Sequence, residues 1–219
     1  MTEKYMEASL GMPLGQVLAL IQEGIMKKCT YFGVKTYKSP IDAWIYQEII
    51  FETQPDVILE IGNANGGSGL LLAHLCDLMG KGRVICVDID HKKIHKKAKN
   101  HPRITFIEGD ACACFQSVAK TISPDERVLV IEDSAHTYEN TLNVLRRYCG
   151  LIKPGDYFIV EDGICHHGLE TGPNPGPYEA IEDFARENSD FEIDRSRERY
   201  FITWNPKGYL KRKGNPGLS

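Results

Sequence analysis

The stretch DVILEIGNANGGSG (residues 56–69) carries an apolar run straight into a cluster of glycines. The apolar part, 56–61, reads as a buried strand, Gly62, Gly66 and Gly67 as a sharp turn, and the following LLLAHLCDLM as a helix. Glycines let the backbone reverse and let a ligand approach it closely, while the start of the next helix offers free N–H donors. Strand, Gly-rich turn and helix together form the opening unit of an open α/β sheet.

The same rhythm continues outward from this unit. RVICVD (83–88), ITFIEG (104–109), RVLVIE (127–132) and DYFIVE (156–161) are short apolar runs of strand length. Their continuous apolarity fits strands covered on both faces, as in a mostly parallel sheet with crossover helices. Helices are expected at 67–79, 91–99, 112–120, 137–149 and 177–187, and the tail FEIDRSRERYFITWN (191–205) reads as a hairpin closing the sheet. Before the sheet, residues 13–28 and 39–52 read as two helices, the second with Ser39 as cap and Pro40 in its first turn. The expected organisation is a helical extension over 1–55, covering one mouth of the sheet, and a ligand-binding α/β domain over 56–219.

Composition narrows the function classes. The 219 residues carry a formal net charge of -4, which disfavours a broad nucleic-acid surface, and the basic run HKKIHKKAKNHPR (91–103) reads as a solvated helix face. No apolar run reaches the roughly 18 residues of a membrane span, and MTEKYMEASL lacks a secretory layout, so a cytoplasmic protein is expected. Seven cysteines without a C-x-x-C pair read as reduced thiols.

Each strand ends in or beside an acid: Glu60, Asp88, Asp110, Asp133, and Glu161 with Asp162. Ligands of open α/β sheets sit outside the carboxyl ends of the strands, where these acids converge. Each one alone would serve as a helix cap; five in register point to a site. The turn is not the G-x-G-x-x-G of nicotinamide enzymes. Combined with Asp88, the expected partner of ribose hydroxyls, and with EGDA after the third strand, it points to an adenosine-containing cofactor. Asp133, Glu161 and Asp162 end neighbouring strands, so either some are protonated or a cation sits among them, and an all-oxygen set suits magnesium or another hard divalent ion. Consecutive side chains on a regular strand face opposite ways, so Glu161 and Asp162 can share one ion only where the strand is already turning, as Gly163 allows.

These motifs resemble class I S-adenosylmethionine-dependent methyltransferases. More narrowly, YFGVKTYKSPIDAWIYQEIIFETQPDVILEIGNANGGS, VIEDSAH and GDYFIVEDGI are similar to the cephalosporin hydroxylase family, which includes rhamnosyl and macrolide-sugar O-methyltransferases; the similarity spans about residues 30–165. The resemblance implies a Rossmann-like, mostly parallel seven-stranded sheet with an antiparallel C-terminal hairpin. It implies that Glu60, Gly62, Asn65, Gly66 and Ser68 hold the methionine end of S-adenosylmethionine, Asp88 the ribose, and Asp110 with Ala111 the adenine. Asn63 belongs to the same turn and stands where relatives often carry threonine.

It further implies Asp133, Glu161 and Asp162 as ligands of Mg²⁺ and His136 as the general base. An imidazole three residues from Asp133 suits the removal of a proton from a metal-bound hydroxyl. The reading is therefore a metal-assisted O-methyltransferase acting on a sugar, glycan or sugar-bearing natural product, and by resemblance a homo-oligomer. Two rivals follow from the same residues: an oxidative enzyme, as the family label suggests, disfavoured by the all-carboxylate set; and a non-catalytic cofactor-binding subunit. Glu132 is given no catalytic role.

Overall fold

The computed structural model describes residues 5–214. Helix α1 (Leu14–Lys28) is followed by a minimal hairpin, β1 (Thr30–Tyr31) and β2 (Val34–Lys35), and then by α2 (Pro40–Thr53). The alternating part runs β3 (Val57–Ile61), α3 (Gly67–Met79), β4 (Arg83–Asp88), α4 (Lys96–Lys99), β5 (Ile104–Glu108), α5 (Ala111–Ala119), β6 (Val128–Glu132), α6 (Tyr138–Tyr148), β7 (Tyr157–Val160) and α7 (Pro177–Glu187). It closes with β8 (Phe191–Ile193) and β9 (Tyr209–Arg212), giving a seven-stranded sheet of order β5-β4-β3-β6-β7-β9-β8. Strands β3 to β7 are parallel, and β9 runs antiparallel to both β7 and β8.

Both faces of the sheet are covered, which explains the unbroken apolar strands. On one face Val57, Leu59, Val128 and Val130 pack under α5, α6 and α7, with Leu145, Tyr148, Ile181 and Phe184 fully buried. On the other, Ile58, Leu129 and Ile131 pack under α2 and α3, with Ile45, Ile49 and Leu72. Each such side chain contributes about 1.5–3 kcal/mol relative to exposure. The N-terminal helix is held separately: Leu18 and Ile25 pack on Ile164, Leu169 and Trp204.

Local signals behave as the sequence suggests at most ends. The Ser39 hydroxyl accepts from the Asp42 amide at 3.3 Å, and Pro40 occupies the first turn of α2. Two expectations fail. The helix expected over 91–99 shrinks to Lys96–Lys99, because the preceding residues wrap around carboxylates: the His91 amide donates to Glu108 at 3.0 Å and the Lys92 amide to Asp90 at 2.8 Å. His95 caps the short helix by accepting from the Lys97 amide, so His91 and His95 form no common face.

The second failure is the tail. Residues 200–205 are not the partner strand of β8; that role falls to Tyr209–Arg212. Residues 203–204 are drawn instead to the buried carboxylate of Asp42, which accepts from Thr203 Oγ1 at 2.5 Å, the Trp204 amide at 2.9 Å and the Tyr209 hydroxyl at 2.8 Å. A charge that is 3% exposed has to be satisfied in this way, and it outweighs the strand propensity of YFIT. Asp42→Ala should cost about 2–4 kcal/mol in urea unfolding and shift Trp204 emission to the red as its segment loosens; unchanged stability and emission would contradict this role.

Candidate active site

The parallel strands end level with one another. The Gly62 amide donates to the Val87 carbonyl at 2.8 Å, Asp133 to Ile61 at 2.8 Å and Glu161 to Glu132 at 2.9 Å, which places the post-strand residues side by side. Gly62, at φ +86°, lies against the backbone of Asp133 and Ser134, where any Cβ would collide. Strand ends β3 and β6 can therefore close together only through glycine at this position.

Outside these ends lies a cavity of about 700 Å³. Among the expected cofactor residues, Gly62, Asp88, Asp110 and Ala111 line it, together with Ala64 and Ser134. Asp88 is built into the Gly-rich turn: one oxygen accepts from the amides of Asn63 and Ala64, both at 2.9 Å. Asp110 caps α5 by accepting from the Ala113 amide at 2.8 Å. Glu60, Asn63, Asn65, Gly66 and Ser68 lie around or behind the turn and do not line the cavity. Asn63 is buried, its Nδ2 has no protein partner, and its Oδ1 lies 3.3 Å from His91. Burial raises the pKa of Glu60. Size, the two acids and the apolar floor of Ile61 and Val87 suit an adenosine-type ligand.

The other end of the cavity is walled by Ile25 and Met26 of α1, Tyr37, the loop after β7 (Ile164, Leu169) and Trp204. The Trp204 indole donates to Gln22 at 2.7 Å and so joins the α1 wall to the C-terminal segment. Helix α2 supplies no lining residue: Trp44 faces away at 58% exposure and Tyr46 is buried. His167 Nε2 donates to Glu179 at 2.7 Å while stacking on Tyr178, and His166 pairs with the Gly172 carbonyl; neither lines the cavity.

Asp133, His136 and Asp162 line the same cavity, with ligand atoms all within 4.8 Å of one another. The His136 Nε2 is 3.3 Å from Asp162 Oδ2 and 3.9 Å from Asp133 Oδ1. Left-handed backbone at His136 (φ +56°) and Asp162 (φ +57°) turns both side chains out of strand or helix geometry. The turn needed after β7 thus occurs at Asp162 itself. Two carboxylates and an imidazole, all half-buried, can hold a hard divalent ion.

Glu161 goes elsewhere. It and Asp133 both accept from the ammonium of Lys38, with 2.6 Å to Asp133 Oδ2, and Glu60 lies 3.7 Å from the same nitrogen. Burial works against the charge, but these three carboxylates hold Lys38 protonated well above the ordinary lysine range. The cation among the acids is, in part, a lysine. Sequence reasoning missed it; the signal was a lysine directly before a capped helix start, KSP, next to an otherwise apolar segment. Glu132 is explained too: it accepts from the Ser134 amide and hydroxyl at 2.8 and 2.7 Å and from Asn140 at 3.0 Å, shaping the loop that carries His136.

Fold and site define the class I, S-adenosylmethionine-dependent O-methyltransferase type. The family Rhamnosyl O-methyltransferase/CmcI matches residues 23–213, and the chain belongs to it. It is 36% identical over 193 residues to the rhamnosyl O-methyltransferase of Mycobacterium leprae, covering 84% of this chain and 83% of that one. The Mycobacterium tuberculosis protein of the same name is 34% identical over 195 residues, covering 86% and 80%. Among solved structures, cmcI-D160 Mg-SAM superimposes with a TM-score of 0.68 at 25% identity, covering 85% and 77%. The O-methyltransferase from Bacillus cereus in complex with SAH shares the fold, with a TM-score of 0.56 at 18% identity over 83% of each chain.

Asp162 provides a pH signature. Burial, partly offset by His136 and reinforced by Asp133, pushes its pKa up to about 6 from 3.8. The folded state then binds more protons than the unfolded one between these values, so this group's contribution is full below about pH 4 and is lost as pH rises through 6. In metal-free buffer the stability of wild type relative to Asp162→Asn should fall by at most about 2 kcal/mol between pH 4 and 7, given a side chain 30% exposed. A difference that rises with pH would show the shift to have the other sign.

Proposed function

We propose that the protein transfers the methyl group of S-adenosylmethionine to a hydroxyl of a sugar, with a divalent cation at the Asp133–Asp162 cluster. The observation that carries this is His136 standing beside two carboxylates in the lining of the cavity that Asp88 and Asp110 also line. When bound, S-adenosylmethionine supplies an electrophilic methyl, and the divalent ion supplies a Lewis acid that lowers the pKa of a coordinated hydroxyl.

The residues of the chain divide the remaining work. Asp88 and Asp110 offer acceptors for the nucleoside end, and the Gly62 turn lets the ligand reach the backbone. Asp133 and Asp162, with Glu161 as the third candidate ligand, provide oxygen donors. His136 Nε2 takes the hydroxyl proton, and the neighbouring carboxylates stabilise the imidazolium that results. Tyr37, Ile25, Met26 and Trp204 give the acceptor end an apolar wall that keeps bulk water from the reacting centre. A sugar acceptor is supported by the name of the relatives at 34–36% identity, which are rhamnosyl O-methyltransferases. An oxidative role would favour two histidines with one carboxylate, the reverse of the proportion found here.

The test is formation of S-adenosylhomocysteine with a panel of rhamnosylated and other deoxysugar glycosides, with and without a chelator. His136→Ala and Asp133→Asn should each lower turnover by roughly 10²–10⁴-fold while S-adenosylhomocysteine still binds. Full turnover by chelated His136→Ala protein would refute the mechanism, and a product heavier by one oxygen would replace it with an oxidation.

A further inference from the structure

Lys38 is the buried group that the mechanism above leaves unused. Its side chain is 6% exposed, and the residue does not line the cavity, so it meets neither cofactor nor acceptor. Its position is nevertheless built with care. Residues 35 and 36 pass so close to the Gly-rich turn that a Cβ on Gly67 would lie 2.6 Å from the Lys35 carbonyl and 2.8 Å from Thr36 Cβ. On its other side, Lys38 precedes the Ser39 cap of α2, and the Cys29 thiol donates to its carbonyl at 3.6 Å. Gly67, the third glycine of the turn, thus makes room for the segment that delivers an ammonium under the strand ends.

What the ammonium does there follows from the oxygens it claims. It takes Oδ2 of Asp133 and Oε1 of Glu161, leaving one oxygen of each for any second cation. The remaining Asp133 oxygen, Oδ1, is the one 3.9 Å from His136, on the side of Asp162. Lys38 also places one positive charge among the carboxylates of Glu60, Asp133 and Glu161, next to the cluster of Asp133 and Asp162. Calcium takes six to eight oxygens, often from bidentate carboxylates, whereas magnesium keeps several waters and needs only one or two carboxylates.

We infer that Lys38 is a positioning residue that confines Asp133 and Glu161 to one-oxygen ligation and thereby makes the cation site selective for a small octahedral ion over calcium. The inference rests on the proposed divalent-cation site. Removing the ammonium frees two oxygens and adds one net negative charge, both of which favour calcium.

The test is calorimetric titration of metal-free, full-chain protein with Mg²⁺, Mn²⁺ and Ca²⁺, for wild type and Lys38→Met. Wild type should bind Mn²⁺ at least about tenfold more tightly than Ca²⁺, and Lys38→Met should raise Ca²⁺ affinity by about tenfold or more relative to Mn²⁺. A purely structural lysine would lower the melting temperature without moving this ratio. The wild-type comparison needs no variant, so it can overturn the role of Lys38 even where Lys38→Met does not fold, and the change of ratio in the folded variant is what ties the selectivity to Lys38. Wild type that binds Ca²⁺ as tightly as Mn²⁺, or a folded Lys38→Met with an unchanged ratio, overturns the role of Lys38 alone. Wild type that binds none of the three ions overturns the cation site together with it.

Discussion

An ammonium buried beneath three carboxylates, Lys38 with Asp133, Glu161 and Glu60, is the contact around which the rest of the site is arranged. Such a cluster gains little net stability, because the desolvation of each charge offsets much of the attraction. Its effect is geometric: it joins the segment before α2 to the ends of β3, β6 and β7. Everything that brings Lys38 there is therefore constrained as well. Gly67 has to lack a side chain, Ser39 has to start the helix at once, and Asp42 has to anchor that helix to Thr203, Trp204 and Tyr209.

The same constraint divides two neighbouring acids between two tasks. Glu161 leaves β7 with a buried side chain and meets Lys38, while Asp162 enters left-handed backbone and faces His136. On a regular strand they would simply point to opposite faces. The turn keeps both near Asp133, so a fixed cation and an exchangeable one can share that carboxylate through its two oxygens. Glu132, one residue before Asp133, completes the arrangement by holding Ser134 and Asn140, which frame the loop of His136.

Most of the fold was legible because it rests on local and periodic signals. Five apolar runs became β3 to β7 to within a residue or two, and Ser39–Pro40 and Pro177 began helices where expected. The failures share a cause. At 91–95 and 200–205 the backbone follows distant carboxylates, Glu108 and Asp42, in preference to its own propensity. At 200–205 that carboxylate is buried, and a buried unpaired charge costs more than a few strand pairs are worth. No window of neighbouring residues contains that information. The partners of Lys38 were illegible for the same reason, two of them lying 95 and 123 residues away.

The sequence by itself determined the parallel α/β sheet, the Gly-rich turn and the set of acids at the strand ends, since hydrophobic period and turn chemistry act over a few residues. It also determined that the acids either share protons or enclose a cation, because like charges brought to neighbouring strand ends repel. Only the tertiary structure decided which of their oxygens meet the ammonium of Lys38 and which face His136. That choice depends on the passage of residues 35–38 beside Gly67, on the turn at Asp162 and on the loop of His136, all set by packing between segments far apart in the chain.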